Sequence, residues 1–509
     1  MKVNLNIKNI ALYCASGLLA VCAFPKFNLF FLIWVAFVPI AFAMMRANTI
    51  TAFLGGFLSG FVFNAFGLYW LVPMLHFNTD SYVQAIIASS ALWVYLALYW
   101  GLWSFGLQKY ISFQECKYSD WLIVIFGACL WVFLEYVRTY FLTGFPWMLI
   151  GYSQFEFSKI IQISEFTGVY GISFIIIFCN LCFFFWLSRK EKLFLYVGVL
   201  IIFLVTIFGV FRIHKFKLLG EKRHNVSIVQ PNIDQYKKWD NEYRQEILSN
   251  LKKQALEVNK LAPELVLWPE SVLPGLLPGD WQVYSHAKDL AINSNSFNIM
   301  GSLYVQDYDN CFNVVLGFNS LGECKFIHKK NHLVPFGEFI PFRKFIARFF
   351  GVLNQMGDIE RGHDISIFNK GELFIGPTIC SENFFPDIAR KIVLNGAKVL
   401  TNHTNDAWFF DTAAPYQHFM MNVFRAVENR RFMLVSANTG VSGIIEASGA
   451  VVDKTVVSKE ELLSGTFSQN EFETFYTRCG DVFVGACIVI LPVLVVFSYR
   501  KRRNNSRQL

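Results

Sequence analysis

Apolar runs of about 20 residues, the length a helix needs to cross a bilayer, fill the first part of this 509-residue chain. They fall near 8–24, 28–45, 49–74, 83–108, 121–142, 160–187 and 193–212, and one more lies at 482–499. Between the seventh and the eighth the pattern changes. Short, nearly continuous apolar stretches read as buried strands: Asn225–Gln230, Leu265–Trp268, Phe297–Tyr304, Phe312–Phe318, Leu373–Ile379, Lys398–Thr401 and Phe432–Ser436. Ile247, Leu248, Leu251, Ala255 and Val258 recur at helical spacing among Lys, Gln and Glu, and a second helix is predicted over Tyr416–Asn429. Such alternation predicts an α/β layered domain rather than a sandwich of β-sheets. The expected organisation is a polytopic α-helical membrane domain of about eight spans, seven before and one after an α/β domain. Its segments are 1–213 (N-terminal spans), 214–480 (α/β domain) and 481–509 (closing span and basic tail).

Composition agrees with lipid exposure. Apolar residues make up 54% and charged residues 16%, too few charges to cover a soluble protein of this size. The 55 Phe and 13 Trp are cheap in lipid and costly on a wet surface. Lys2 and Lys8 before the first run, and Leu19-Ala20-Val21-Cys22 within it, faintly resemble a leader with a lipoprotein cleavage box. Further spans follow at once and Val21 is large, so the run reads as a first transmembrane helix. Gly56-Phe57-Leu58-Ser59-Gly60 is a close-packing GxxxG step inside a span, not a phosphate loop.

The net charge of +8 does not point to nucleic acid, because the basic residues cluster beside apolar runs. With the N-terminus inside, inner loops carry Arg46, Lys109, Lys117, Arg189, Lys190 and Lys192, and the tail adds Arg500, Lys501, Arg502, Arg503 and Arg507. Outer loops hold Lys26, Arg138 and Lys159. Seven crossings then put residues 214–480 outside, the periplasmic face in a bacterial cell. Of 11 Cys, Cys311, Cys324, Cys380 and Cys479 lie in the polar half; there is no CxxC and no framework of pairs, so neither zinc nor disulfides are indicated.

Three residues at predicted strand ends carry possible chemistry. Glu270 follows Leu265-Val266-Leu267-Trp268-Pro269, where burial would raise a carboxyl pKa toward that of a general base. Cys380 ends Leu373–Ile379 where the chain is predicted to turn into a helix, whose N–H groups would stabilise a thiolate and an oxyanion. Lys330 opens Lys330-Asn331-His332-Leu333-Val334-Pro335-Phe336-Gly337-Glu338 and would supply a fixed cation. Each has a plain alternative: a solvated turn carboxylate, an inert thiol, a surface charge. His332 and His403 are competing bases for a Cys-His pair.

Taken together, Glu, Lys and Cys in the contexts WPES, KNHLVPFGE and ICSE resemble the triad of the nitrilase superfamily. Seven spans, one such domain and a terminal span resemble its membrane-embedded branch, the apolipoprotein N-acyltransferases. The resemblance extends to Gly144-Phe145-Pro146-Trp147, Gly151-Tyr152-Ser153-Gln154, Val229–Ile233 with Lys238-Trp239, Asn405–Phe409, Gln417-His418, Asn438-Thr439-Gly440 and Arg478–Asp481. It implies a nitrilase-like αββα sandwich with Glu270 as base, Lys330 as intermediate stabiliser and Cys380 as nucleophile. It also implies supporting or substrate-binding roles for Glu338, Glu382, Trp239 and Asn313. The family usually has an aromatic residue after the nucleophile; Ser381 stands there instead, leaving its N–H for an oxyanion hole.

The implied reaction moves a fatty acyl chain from a phospholipid, through a thioester, to the N-terminal amine of a diacylglyceryl apolipoprotein at the bacterial inner membrane. No metal, dissociable cofactor or nucleic acid is expected, and the chain is expected to act as a monomer in the bilayer. Phe342, Phe345, Ile346, Phe349, Phe350 and Leu353 share a helical face, with Arg343, Lys344 and Arg348 elsewhere. That pattern suits an interfacial helix or lid, or equally a buried helix with snorkelling charges. Two further classes are a membrane-tethered amidohydrolase acting on a small amide, and an inactive transporter or scaffold.

Overall fold

The computed structural model describes residues 6–45, 47–113, 119–217, 222–307, 310–341, 343 and 358–505. The predicted 339–353 helix therefore lies largely outside the described residues. The chain divides into two compact units, Met1–His214 with Cys479–Leu509, and Lys215–Arg478.

In the first unit, six described helices are long and apolar enough to cross a membrane. They are Thr49–Gly67, Tyr82–Ile111, Asp120–Thr143, Val169–Arg189, Lys192–Phe216 and Val482–Arg503. Two predicted runs are built differently. The 28–45 run is a 3-10 turn, Phe30–Trp34, then a short helix, Val38–Met44, with Pro39 in its first turn. Proline fits there because the first N–H groups of a helix have no internal partner. The 160–187 run is two single-turn helices followed by Val169–Arg189, divided at Gly168, whose φ is +62°. The 49–74 run likewise ends at Gly67, before a separate helix Leu71–Thr79.

The GxxxG step packs as its small residues require. A methyl on Gly56 would lie 2.2 Å from Ser104 Oγ, and one on Gly60 2.7 Å from the Trp100 side chain. Helix 49–67 thus touches helix 82–111 nearly backbone to backbone.

The second unit is a four-layer αββα sandwich. Its strands are β1 (Arg223–Gln230), β2 (Leu265–Leu267), β3 (Leu276–Leu277), β4 (Phe297–Asp307), β5 (Asn310–Phe318), β6 (Cys324–Lys329), β7 (Phe368–Lys370), β8 (Leu373–Ile379), β9 (Val399–Thr404), β10 (Met433–Ala437), β11 (Gly443–Ile445), β12 (Val451–Lys454) and β13 (Glu461–Ser468). One sheet runs β13-β1-β2-β4-β5-β6, with β3 paired to β4; the other runs β12-β11-β10-β9-β8-β7. Pairs β1–β2, β2–β4, β8–β9 and β9–β10 are parallel. The period of two sorts the side chains. Val226, Ile228, Leu265 and Leu267 face Ile375, Val399, Leu434 and Ile444 between the sheets. Val229, Val266 and Trp268 point outward onto helices Arg244–Asn259 and Trp281–Ser294. Helices Pro386–Leu394 and Ala414–Asn429 cover the other sheet. Each fully buried aliphatic or aromatic side chain stabilises this arrangement by roughly 1.5–3 kcal/mol.

Candidate functional site

The two sheets bring the three predicted residues together from strand ends that are not adjacent in either sheet. Glu270 lies just past β2, Lys330 directly follows β6, and Cys380 directly follows β8. Gly301 on β4 lets the first turn close, since a Cβ there would sit 2.5 Å from the Glu270 Cα and the Pro269 oxygen.

Glu270, Lys330 and Asn313, all buried, form one hydrogen-bonded cluster with the partly exposed Glu338. Asn313 Nδ2 donates to Glu270 Oε1 at 2.7 Å and to Glu338 Oε1 at 2.8 Å. Lys330 Nζ lies 2.9 Å from Glu338 Oε1 and 3.4 Å from Glu270 Oε1. The Asn313 carbonyl accepts from Lys330 N at 2.8 Å, so one residue fixes both ends of the lysine segment. Glu270 Oε2 accepts the Asn405 N–H at 3.0 Å, and Glu338 Oε2 accepts that of Val334 at 2.8 Å.

Two pKa shifts run against the sequence reading. Burial pushes the Glu270 carboxyl up, but the Lys330 ammonium, the Asn313 amide, the Cys380 thiol and Lys238 together outweigh it, and the pKa falls below the ordinary 4.5. The Cys380 thiol is instead raised well above its usual value, by burial, then by Glu270, with Lys330 acting in the opposite sense and Asp406 adding to the rise. The predicted helix after Cys380 is a five-residue 3-10 turn, Cys380–Phe384, so burial and a neighbouring carboxylate decide the thiol rather than a helix terminus. Lys330 lies above its ordinary value: burial lowers it, but Glu338, Glu270 and Cys380 more than compensate. At rest the cluster therefore holds a neutral thiol, a carboxylate and an ammonium.

Cys380 adopts φ +50°, a left-handed conformation that costs a non-glycine residue about 1–3 kcal/mol. Glu382 holds the turn that imposes it. One of its buried oxygens accepts the Ile379 N–H at 2.8 Å; the other accepts those of Asn331 at 2.6 Å and His332 at 3.2 Å. A single carboxylate thus ties the Cys380 turn to the lysine segment. Burial raises its pKa, but His328 and these amides hold it below 4.5.

A group lowered on folding stabilises the native state above its unfolded pKa and loses that contribution as pH falls through the folded one. Glu382→Ala is expected to orphan three amides and destabilise the unit by about 3–5 kcal/mol. Thermal unfolding of the purified protein checks this. The gap to wild type should narrow below about pH 4.5, and Glu382→Gln, which keeps one acceptor, should recover part of it.

Beneath Cys380 is a network that the sequence reading does not pick out. Thr404 Oγ1 donates to Cys380 Sγ (3.4 Å) or Asp406 Oδ1 (2.9 Å). His418 Nδ1 faces Asp406 Oδ1 at 2.8 Å, and its Nε2 faces the Cys380 carbonyl at 3.3 Å. In sequence, Asp406 and His418 belong only to the family pattern, within Asn405–Phe409 and Gln417-His418. The competing histidines are engaged elsewhere. His403 Nδ1 meets the Trp268 carbonyl at 2.7 Å and its Nε2 meets Thr401 Oγ1 at 3.0 Å; burial pulls its pKa to about 4. His332 lies against the Phe385 ring, centroids 3.7 Å apart and planes tilted by 37°, and is likewise pulled by burial to about 4. Ser381 is buried, and its hydroxyl makes no hydrogen bond among the described residues. Trp239 ends the 3-10 turn Lys237–Trp239 and is half-exposed. No three His, Cys, Asp or Glu side chains converge as a metal site among the described residues.

Family profiles match both halves of the chain: "Apolipoprotein N-acyltransferase N-terminal domain" over residues 16–182 and "Carbon-nitrogen hydrolase" over residues 225–475. A curated apolipoprotein N-acyltransferase from Geobacter metallireducens is 33% identical, over 96% of this chain and 94% of the relative. The chain belongs to the apolipoprotein N-acyltransferase family. The enzyme of that name from Rickettsia typhi is 30% identical over 87% of each chain. Among solved structures, an amidase from Nesterenkonia sp. (14% identity, TM-score 0.40) matches 53% of this chain and 98% of its own. Saccharomyces cerevisiae Nit3, of the nitrilase superfamily (16% identity, TM-score 0.39), matches 49% of this chain and 91% of its own. Membership makes the chain an acyltransferase with a nitrilase-like domain joined to membrane helices.

Proposed function

We propose that this chain transfers a fatty acyl group from a phospholipid to the α-amino group of a diacylglyceryl-cysteine apolipoprotein, through a thioester on Cys380. The protein spans the bacterial inner membrane eight times, the shorter helices near 7–22 and 30–44 included, with its α/β domain on the periplasmic side. The observation that carries the reading is that Glu270, Lys330 and Cys380, each at a strand end, act on one another's charge in one buried site, in a chain whose other half is apolar helix.

In the first half-reaction Glu270 takes the thiol proton as Cys380 Sγ bonds to the ester carbonyl carbon. Lys330 Nζ and the Ser381 N–H face the oxyanion, and preorganised donors of this kind are worth several kcal/mol. The C–O bond then breaks, Glu270 returns the proton to the departing alkoxide, and lysophospholipid leaves. In the second half the acceptor amine attacks the thioester, Glu270 removes its proton, and sulfur departs to regain a proton. Asn313 and Glu338 keep Lys330 and Glu270 in register, and Glu382 sets the nucleophile turn.

The test is mass spectrometry of the purified protein after exposure to phospholipid. An acyl increment is expected on Cys380, absent in Cys380→Ala, persisting until a diacylglyceryl peptide is added. An increment on another cysteine removes Cys380 from the role, and rapid loss to water without acceptor makes the chain an amidohydrolase-like enzyme instead.

A further inference from the structure

A cavity of about 600 Å³ is lined by Lys238, whose ammonium interacts electrostatically with Glu270. Its walls are apolar, from Trp239, Pro274, Leu276, Pro278 and Val305. Lys238 is 1% exposed, and its ammonium makes no hydrogen bond or ion pair with any described residue. It stands 5.8 Å from the centre of the Trp239 ring and feels the Glu270 carboxylate electrostatically. Arg244, also on the rim, is committed to Asp280 at 2.9 Å. Burying an ammonium without a hydrogen-bonded partner is costly, and burial accordingly pulls Lys238 down to about 8. A greasy cavity with one uncommitted cation fits an amphiphilic anion.

We infer that this cavity seats the phosphoester end of the acyl donor, with the phosphate oxygens on the Lys238 ammonium. The inference rests on the acyl-transfer reading above and adds a subsite to it. The glycerol ester and the phosphodiester of a phospholipid are a few bonds apart. Lys238 is close enough to Glu270 to interact with its carboxylate, so an anion on Lys238 stays near the base. Lys238 also adds positive potential to Glu270, so loss of the cation has two separable consequences, one for donor recognition and one for the base.

The experiment follows Cys380 acylation of the full-length protein by two donors with the same acyl chains, a diacyl glycerophospholipid and the neutral diacylglycerol that lacks the phosphate. Lys238→Gln is expected to slow acylation by phospholipid about 10- to 100-fold, the loss of one charge-assisted contact. The loss with diacylglycerol is expected to be at least tenfold smaller, and Lys238→Arg to retain most of the rate. Leu276→Trp, which narrows the cavity from an exposed wall position, is expected to show the same donor selectivity and guards against a misfolded lysine variant. Equal losses with both donors overturn the subsite and leave Lys238 acting through Glu270; an unchanged Lys238→Gln overturns both roles. Inorganic phosphate is expected not to slow the wild type; slowing equal to that of Lys238→Gln reassigns the site to free phosphate. If the wild type forms no acyl-enzyme with either donor, the acyl-transfer reading fails and takes the subsite with it.

Discussion

Glu270→Gln is expected to slow formation of the Cys380 acyl-enzyme by about 10²–10⁴-fold, the range for removing a positioned general base. The residual thiol does not compensate, because burial and its surroundings hold Cys380 well above the ordinary thiol value. A neutral thiol is a poor nucleophile. The proton must therefore leave during attack, and only an adjacent acceptor with a free lone pair makes that step accessible. The amide fills the same space and keeps the Asn313 contact at Oε1. Its nitrogen would face the Asn405 N–H that now donates to Oε2, so the structural cost is one hydrogen bond, about 1 kcal/mol.

Time-resolved mass spectrometry gives the rate, and thermal unfolding shows that the fold is kept. A fall of less than threefold would remove Glu270 from the base role. The pH dependence supplies a second check. Glu270 lies below 4.5 in the folded protein, so the wild-type acylation rate should hold from neutrality to about pH 5 and decline only below that.

The strands that position this cluster were legible because they are buried on both faces. Leu373–Ile379 matches its sequence reading end to end, and Phe297–Tyr304 and Phe312–Phe318 fall within β4 and β5. The short hairpin strands Gly443–Ile445 and Val451–Lys454 escaped it. Strands of three and four residues, one buried throughout and the other exposed throughout, carry too little periodicity to register. In the membrane unit, hydropathy located the apolar runs and missed where they break, because lipid rewards apolar side chains whether or not the helix is interrupted, as it is at Gly168 and again between Trp34 and Val38.

The site divides along the same line. Glu270 and Cys380 stood out because a polar group at the mouth of an apolar strand is anomalous in one dimension. Their pKa directions were misjudged for a reason the one-dimensional view contains. Burial can be read from neighbours in sequence, but Lys330 comes from 60 residues beyond Glu270 and reverses the sign. Lys238 sits in the polar run Tyr236-Lys237-Lys238-Trp239, where a lysine reads as solvated. Its burial arises when the 3-10 turn and the 274–280 segment close around the same cavity. Thr404, Asp406 and His418 come together only through the turn after β9 and the helix that follows. Family resemblance supplied what spacing could not, the chain order of Glu, Lys and Cys.

The largest combined effect is expected at Lys330. In Lys330→Met, Glu270 and Glu338 remain on the two sides of one Asn313 amide with no cation between them. Removing one member of a buried ion pair costs about 3–5 kcal/mol, because the remaining charges lose their partner while staying desolvated. The wild-type lysine lies above 10.5, so its contribution is present below that pH and fades as pH rises through the folded value. The Tm gap between wild type and variant should accordingly persist at neutral pH and narrow above about pH 10.5. Activity should fall by about 10³-fold or more, since the oxyanion loses its cation. The acid limb of any residual acylation should also move to higher pH, because the two carboxylates now disfavour each other's ionisation. Adding Glu338→Gln to Lys330→Met separates the two effects: with one carboxylate neutralised, most of the lost stability should return while acylation stays low. If the double variant regains acylation to within tenfold of wild type, Lys330 is a counter-ion for Glu338 and nothing more, and stabilisation of the intermediate must come from backbone N–H groups alone.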